Sequence, residues 1–596
     1  MENKNGQSQG PDAPVEQFFT FGEMPFTRRG AYVGVYADRM SNNKYSTSKV
    51  FISSKRGSAG GGWPKTLLTF DILHGGVKVP YSIQTTPTQL ILSTRYGNVY
   101  FCFAETTLLY IKTDPGLGVT LIAPRDLMDG HGVIRNCGST AWECLIPRIC
   151  SFVYKPIIGS LTIDALWEWE RLCTPHAQVT LEPSSTGSLL AIEEFMFAGH
   201  ERDVYPGYEQ ALANVTADWE AFYAGFEPFP DEVDSLRPRA AWMLWSHLVG
   251  PSGKVKRSLM YMMQNDCASS WQMNQNAVAL HHNLELSMDL MLNMLDEAIE
   301  STGQLPDMYT DSTGGYHDMH PPLQGWGLLQ LMKLHDLVKE VSRDKLEWMY
   351  TGYGRWADWL VEYRDRNHRG ILRYEHATEC GLDDSTVFIK SHMMESPDLS
   401  AYGALLFESL GDLGKVLGKD AGEYTHWYDK SKRMIDKLIS ELWNGERFIA
   451  KVSGTGEVVA TNSVMYYIPI ILGKRLPQKI IDKMASDLAV EGDWLTPYGF
   501  ASEKLNSDYY NDNCMMAIGG PIAPTNLLLI DGLFEADKTE FAAMVAKRYC
   551  ISGKEHCLSF KINSRDGSRH PSSHSWSASV YVIICNRLTE YLKTGK

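Results

Sequence analysis

The feature that most limits how this chain can fold is a change of hydrophobic period near residue 205. Before it, apolar residues come in short runs rich in branched and aromatic side chains, the signature of β-strands. Gln89-Leu90-Ile91-Leu92-Ser93-Thr94 and Asn98-Val99-Tyr100-Phe101-Cys102-Phe103 flank the turn Arg95-Tyr96-Gly97-Asn98 and read as a hairpin. Leu108-Leu109-Tyr110-Ile111 and Gly118-Val119-Thr120-Leu121-Ile122 continue the series, and short strands persist to about Phe197. Beyond the change, Tyr208 to Phe222 has helical spacing, and Phe226-Glu227-Pro228-Phe229-Pro230 then breaks the chain. From Leu236 onward nearly every segment is helical. Candidate helices cover 239–249, 276–298, 322–341, 345–364, 398–416, 422–443, 463–472, 477–488, 525–534, 538–547 and 575–592.

This pattern predicts a mainly α protein with an additional β domain: an N-terminal β-sandwich followed by a toroid of helical hairpins. A helical solenoid would need a fixed sequence period, and none is present. The expected divisions are a disordered tail over 1–16, the sandwich over 17–204, a helical linker over 205–235 and the barrel domain over 236–596. Ser53 to Gly62, rich in Ser and Gly, reads as a flexible loop.

A formal charge of -15 argues against nucleic acid and anionic membrane as partners. The polar N-terminus shows no signal peptide, and no apolar run is long enough to span a bilayer. The 11 cysteines are scattered, odd in number and without a Cys-x-x-Cys pair, which points to reduced thiols in a cytoplasm.

Chemistry concentrates in the loops between helices. Glu379-Cys380-Gly381-Leu382-Asp383-Asp384-Ser385 places three carboxylates around a glycine turn. Crowded acids repel when ionised, so one can stay protonated near neutral pH as a general acid. Four other loops fall where helices begin: Ser269 to Asn276; Gly303 to Tyr309 running into His317-Asp318-Met319-His320 and Pro321-Pro322-Leu323-Gln324; Asn506 to Asn513 followed by Gly519 to Asn526; and Phe560 to Gly567 followed by His574-Ser575-Trp576. The two histidines of the second loop lack a clear third and fourth ligand, so pocket lining rather than a metal is expected there. No metal or cofactor is predicted. The methionine-rich run Met288 to Leu295 reads as helix core.

In order and spacing these loops resemble the trehalase and processing α-glucosidase I group of inverting glycoside hydrolases. The Glu-Ser-Gly-aromatic-Asp motif of that group falls on 379–383, its Trp-x-Trp-Asp segment on Trp271 to Asn274, and its Gly-x-x-Pro and Pro-Pro on Gly303, Pro306, Pro321 and Pro322. Its Trp-Arg-Gly-Pro falls on Ile518 to Pro521 with Asn526 beyond, and its Ser-Trp-Ser/Thr-Ala on Ser575 to Ala578. The resemblance covers the last three-fifths of the chain. It implies the (α/α)6 barrel, a small α-linked glucoside or related glycoside as substrate, and Asp383 as general acid. Expected substrate-binding residues are Trp271, Asn274, Asp307, His317, His320, Gln324, Glu379, Asp384, Tyr510, Asn526, His574 and Trp576.

The departures fall on functional positions. Gly519 stands where the group has a sugar-binding Arg, and Phe560, or Ile562 on a two-residue shift, stands where it has the general-base Glu. If the chain hydrolyses glycosides, another carboxylate must activate water. Asp512 and Asp566 are the expected bases, with Asp508, Glu555 and Asp307 as further candidates. A non-hydrolytic enzyme on the same scaffold, such as a lyase or epimerase, and a carbohydrate-binding protein without catalysis are the alternatives.

Overall fold

The computed structural model describes residues 21, 24–37, 50–57, 65–263, 267–514, 516–556, 558–568 and 574–595. The expected tail over 1–16 and the 58–62 part of the expected loop lie outside them. The chain divides into two compact units, 1–224 with 241–250, and 225–240 with 251–596. The stretch read as a linker is shared between them: the helix Tyr208–Ala224 belongs to the first unit.

The first unit is a β-sandwich. One sheet runs in the order Val33–Ala37, Val50–Ser54, Leu68–His74, Leu117–Ala123, Cys173–Leu181, Leu161–Glu168. The other runs Val133–Asn136, Trp142–Ile146, Cys150–Ile158, Ser188–Phe195, Leu108–Thr113, Gly97–Phe103, Leu90–Thr94, Ser82–Thr85. The expected hairpin forms, with Leu90 opposite Phe101 and Thr94 opposite Gly97. Alternation puts Phe70 and Ile72 of one sheet and Phe101, Leu109 and Ile192 of the other into a single core. The rings of Phe70 and Phe101 meet with centroids 5.1 Å apart.

The second unit is the helical toroid. Its inner ring consists of Ser270–Ala279, Gln324–Leu334, Pro397–Val416, Ile468–Arg475, Ala523–Glu535 and Ser575–Thr594, each packed against the next and the last against the first. Outer helices Leu284–Asp296, Arg343–Arg364, Ala421–Leu442, Gln478–Leu488 and Thr539–His556 alternate with them along the chain. Among the described residues no helix is long and apolar enough to cross a membrane.

Several elements differ from the sequence expectation, among them the helix expected over 322–341, which is two, Gln324–Leu334 and Leu337–Glu340. The helix expected over 276–298 is two, because Asn283 caps a new start by accepting from the Leu286 amide at 3.1 Å. Ser269 and Gln272 form a capping box that starts the preceding helix at Ser270, earlier than its apolar spacing shows. The helix expected over 463–472 is a run of tighter 3-10 turns, with a break at Gly473 (φ 53°). A Cβ there would lie 2.7 Å from the carbonyl oxygen of Glu535 on the neighbouring inner helix.

Glycines also set how closely the inner elements approach. A Cβ on Gly325 would overlap the backbone of Leu406, and one on Gly532 would lie 2.7 Å from the carbonyl carbon of Ile470. Backbone cannot yield as a side chain can. Gly325→Ala is therefore expected to destabilise the protein by about 1–3 kcal/mol through overpacking, although alanine is the better helix former. Denaturant unfolding measures this, and unchanged or raised stability would show that the ring is not in contact there.

Candidate active site

The loops that precede the inner elements are joined by short β pairings. Ala268–Ser269 pairs with Met308–Tyr309, Ser463 with Glu503, Ile522 with Lys561, and Met263 with His574. These loops include every segment singled out in the sequence, so they converge at the N-terminal ends of the inner elements. Helix dipoles there favour negative charge, and the acid loop lies among them.

Gly381 is the hinge of the acid loop. It takes a left-handed conformation (φ 66°), and a Cβ on it would fall into the six-membered ring of Trp271. Trp271 is itself fixed by the capping box, its amide donating to Ser269 Oγ at 3.3 Å. Its indole packs edge-on against Trp576, centroids 4.8 Å apart. The Trp576 Nε1–H donates to Gln275 Oε1.

Asp383 is half-buried. Burial raises its carboxyl pKa, and the neighbouring charges of Asp384 and Asp318 raise it further. These are the conditions a general acid needs. Asp384 is an anchor: its oxygens accept from the amides of Met516, at 3.0 Å, and Ala517, at 2.5 Å. Asp318 accepts from the Thr378 hydroxyl at 3.2 Å. Sequence reasoning misses Asp318, because the two histidines beside it draw the metal question.

Several expected contact residues have other work. Glu379 is buried, and burial raises its pKa against the pull of Arg364. One of its oxygens takes the Arg364 guanidinium at 2.5 Å and the other the Glu375 amide at 2.7 Å. Both oxygens are thus engaged from within the protein. Asn526 uses its whole side-chain amide on backbone, accepting from Phe500 N–H and donating to the Phe500 and Ile522 carbonyls. Asn274 is buried, donates to the Ser270 carbonyl at 2.6 Å and lies against Gly327. His317 is exposed, and His320 faces Asp307 through Nδ1. Among the described residues no group of three or more His, Cys, Asp or Glu could hold a metal ion.

The expected bases separate clearly. Asp566 is exposed, and its Oδ1 accepts from the Ser568 amide in a turn. Asp508 is exposed as well, and the side chain of Glu555 lies outside the described residues. Asp512 has a side chain only 9% exposed. Its Oδ1 accepts from the Tyr510 hydroxyl at 2.6 Å and the Ser564 amide at 3.2 Å. Its Oδ2 has no hydrogen-bond partner, with the Arg565 guanidinium at 3.7 Å. At the position of the missing Glu, Phe560 stacks on His574 with centroids 4.7 Å apart and lies 5.7 Å from Trp576. That wall is aromatic.

Other buried polar atoms here also lack partners: Trp271 Nε1, Gln275 Nε2, Gln324 Oε1 and Ser577 Oγ. All four sit in the first two turns of inner helices. Buried polar groups are nearly always satisfied, so a group of orphans marks a place where a polar ligand or water completes the bonding.

Beneath the loop, Asp398 is fully buried and hydrogen-bonded by Tyr374, at 2.8 Å, and by Ser396. Burial pushes its pKa up to about 6, against the pull of those bonds. The folded state therefore holds a proton that the unfolded chain releases near pH 4. This contribution is complete below pH 4 and is lost as pH rises through about 6, a fall of about 3 kcal/mol. Asp398→Asn is expected to flatten stability against pH over that window in denaturant titrations. An unaltered slope would mean that Asp398 is ionised when folded.

Residues 270–558 match the family model described as the mannosylglycerate hydrolase MGH1-like glycoside hydrolase domain. The match supports a glycoside hydrolase of the six-hairpin type, not specifically the trehalase and α-glucosidase I group. No curated protein matches the chain. Among solved structures, the fold is similar to an uncharacterized conserved protein from Thermus thermophilus, at 15% identity and TM-score 0.51, covering 58% of this chain and 99% of that one. It is equally similar to the GH63 mannosylglycerate hydrolase of the same organism in complex with glucose, with the same identity, coverage and TM-score. The complex of that enzyme with Tris and D-glycerate aligns at 14% identity and TM-score 0.50. At these identities the structural likeness is one of fold. The chain carries a glycoside hydrolase domain of the six-hairpin type, and its activity is that of a glycosidase.

Proposed function

We propose that the protein is an inverting glycosidase acting on a small α-linked glycoside, with Asp383 as general acid and Asp512 as the base that activates water. The observation that carries this reading is the pair of unlike carboxylates. Asp383 is held toward its protonated form by burial and two neighbouring acids. Asp512 is oriented by Tyr510 and Ser564 and keeps one oxygen free of hydrogen bonds. Inversion needs such a division of labour. Asp383 delivers its proton to the glycosidic oxygen as the bond to the anomeric carbon breaks. Water attacks that carbon from the opposite face and gives its proton to Asp512.

The orphaned donors and acceptors of Trp271, Gln275, Gln324 and Ser577 would take the sugar hydroxyls. The solved neighbour acts on mannosylglycerate and binds D-glycerate, so a hexose joined to a small hydroxy acid is the first substrate to try.

Asp383→Asn should lower turnover of such a substrate by ~10²–10⁴-fold with folding preserved. Asp512→Asn should do the same and remove the acidic limb of the pH profile. NMR of the first-formed sugar anomer reads the stereochemistry. Retention, or near-normal turnover in Asp383→Asn, would overturn the assignment. Unaffected activity in Asp512→Asn would leave Asp383 as acid and return the question of the base to other carboxylates.

The acid also predicts a pH shift. Asp384 is one of the charges raising the Asp383 pKa. Asp384→Asn should therefore move the alkaline limb of kcat toward lower pH, because Asp383 would lose its proton earlier. A limb that stays in place, or moves upward, would show that Asp383 is not the group titrating there.

A further inference from the structure

Behind the acid loop lies a carboxylate that neither the sequence motifs nor the proposed chemistry uses. Glu503 is fully buried. Its Oε2 accepts from the Thr386 hydroxyl at 2.9 Å, and its Oε1 from the Ser507 hydroxyl at 2.7 Å. Burial raises its pKa, against the pull of the two hydroxyls and the nearby Asn462 amide. Among the described residues no cation pairs with it. The charged side chains nearby are engaged elsewhere: Arg447 donates to the Thr461 carbonyl at 3.0 Å, and Lys504 pairs with Asp493 at 2.8 Å. A carboxylate held in the interior by neutral donors alone is costly, and a side chain needed only to fill space could be apolar. Its bonds are directional, which an apolar side chain cannot supply.

The direction can be followed. A carboxylate only accepts, so the single proton of the Thr386 hydroxyl goes to Glu503. The same Thr386 hydroxyl lies 2.9 Å from that of Thr461. Ser385 is tied alongside, its hydroxyl 2.8 Å from that of Ser463. Thr386 is three residues from Asp383. The front of the same loop is held by Asp384 on the amides of Met516 and Ala517. Both anchors, 503 and 516–517, therefore flank the segment that carries Asp512.

We propose that Glu503 is a positioning residue for catalysis: through Thr386 it registers the loop of Asp383 against the segment of Asp512. The proposal rests on Asp383 being the general acid. Loss of the contact leaves the acid present but misaligned with the leaving oxygen, and a misplacement of about 1 Å can cost ~10²-fold. The protonation step suffers; a leaving group that needs no proton does not.

The test compares two substrates of one sugar, α-D-mannosylglycerate or α-D-glucosylglycerate with its poor leaving group, and the matching glycosyl fluoride. Glu503→Ala and Thr386→Val should each lower kcat on the glycerate ~10–10²-fold, with KM little changed and the fluoride hydrolysed almost as fast as by wild type. Glu503→Gln, which keeps the acceptor and the size, should recover most of the loss. The double variant should be no worse than the worse single one. If Glu503→Ala does not fold, Thr386→Val carries the comparison. Equal losses on both substrates would reduce Glu503 to a structural role, and wild-type kcat on the glycerate would overturn the proposal outright. Asp383→Asn is run in parallel. If it shows the leaving-group dependence while the Glu503 and Thr386 variants do not, this inference alone fails. If Asp383→Asn loses nothing, the reading of the acid fails with it.

Discussion

The contact of Gly381 with the Trp271 indole is the point on which the helical unit turns. It requires a residue without Cβ, in a left-handed conformation, at the tip of a loop crowded with carboxylates. It also requires an indole that cannot move, which the Ser269 capping box and the edge-on Trp576 provide. First and last inner helices thereby meet under the acid loop. Closure of the ring and placement of the acid are one event.

Around that contact the loop is bound on every side by groups of different kinds. Arg364 neutralises Glu379, backbone amides hold Asp384, a hydroxyl reaches Asp318, and Glu503 takes Thr386 from behind. Asp383 alone among the three loop acids is left without such a strong partner, and burial then governs it. A site can thus make one carboxyl acidic in function by satisfying its neighbours more fully.

Much of this was legible in the sequence. The change of period marked both architectures, because strand and helix bury side chains at different spacings, and the loop order followed from the helices that bound them. What escaped depended on partners distant in the chain. Glu379 looks like a sugar ligand until Arg364, fifteen residues away, folds against it. Asn526 matches a motif yet serves the backbone at Phe500. Glu503 stood outside every motif, and its meaning lies in Thr386, 117 residues earlier. Helix 276–298 broke because one Asn side chain competes for a backbone amide, a local signal weaker than the apolar spacing on either side.

The glycines at 325 and 532 have a consequence of their own. Where backbone meets backbone, the girth of the ring is set by the absence of side chains rather than by their fit. Side chains facing the centre can then be exchanged without altering the bore, whereas one methyl group at either glycine would widen it. Adaptation of this scaffold to a bulkier sugar has two separable routes, and the shorter one passes through residues that touch no sugar at all.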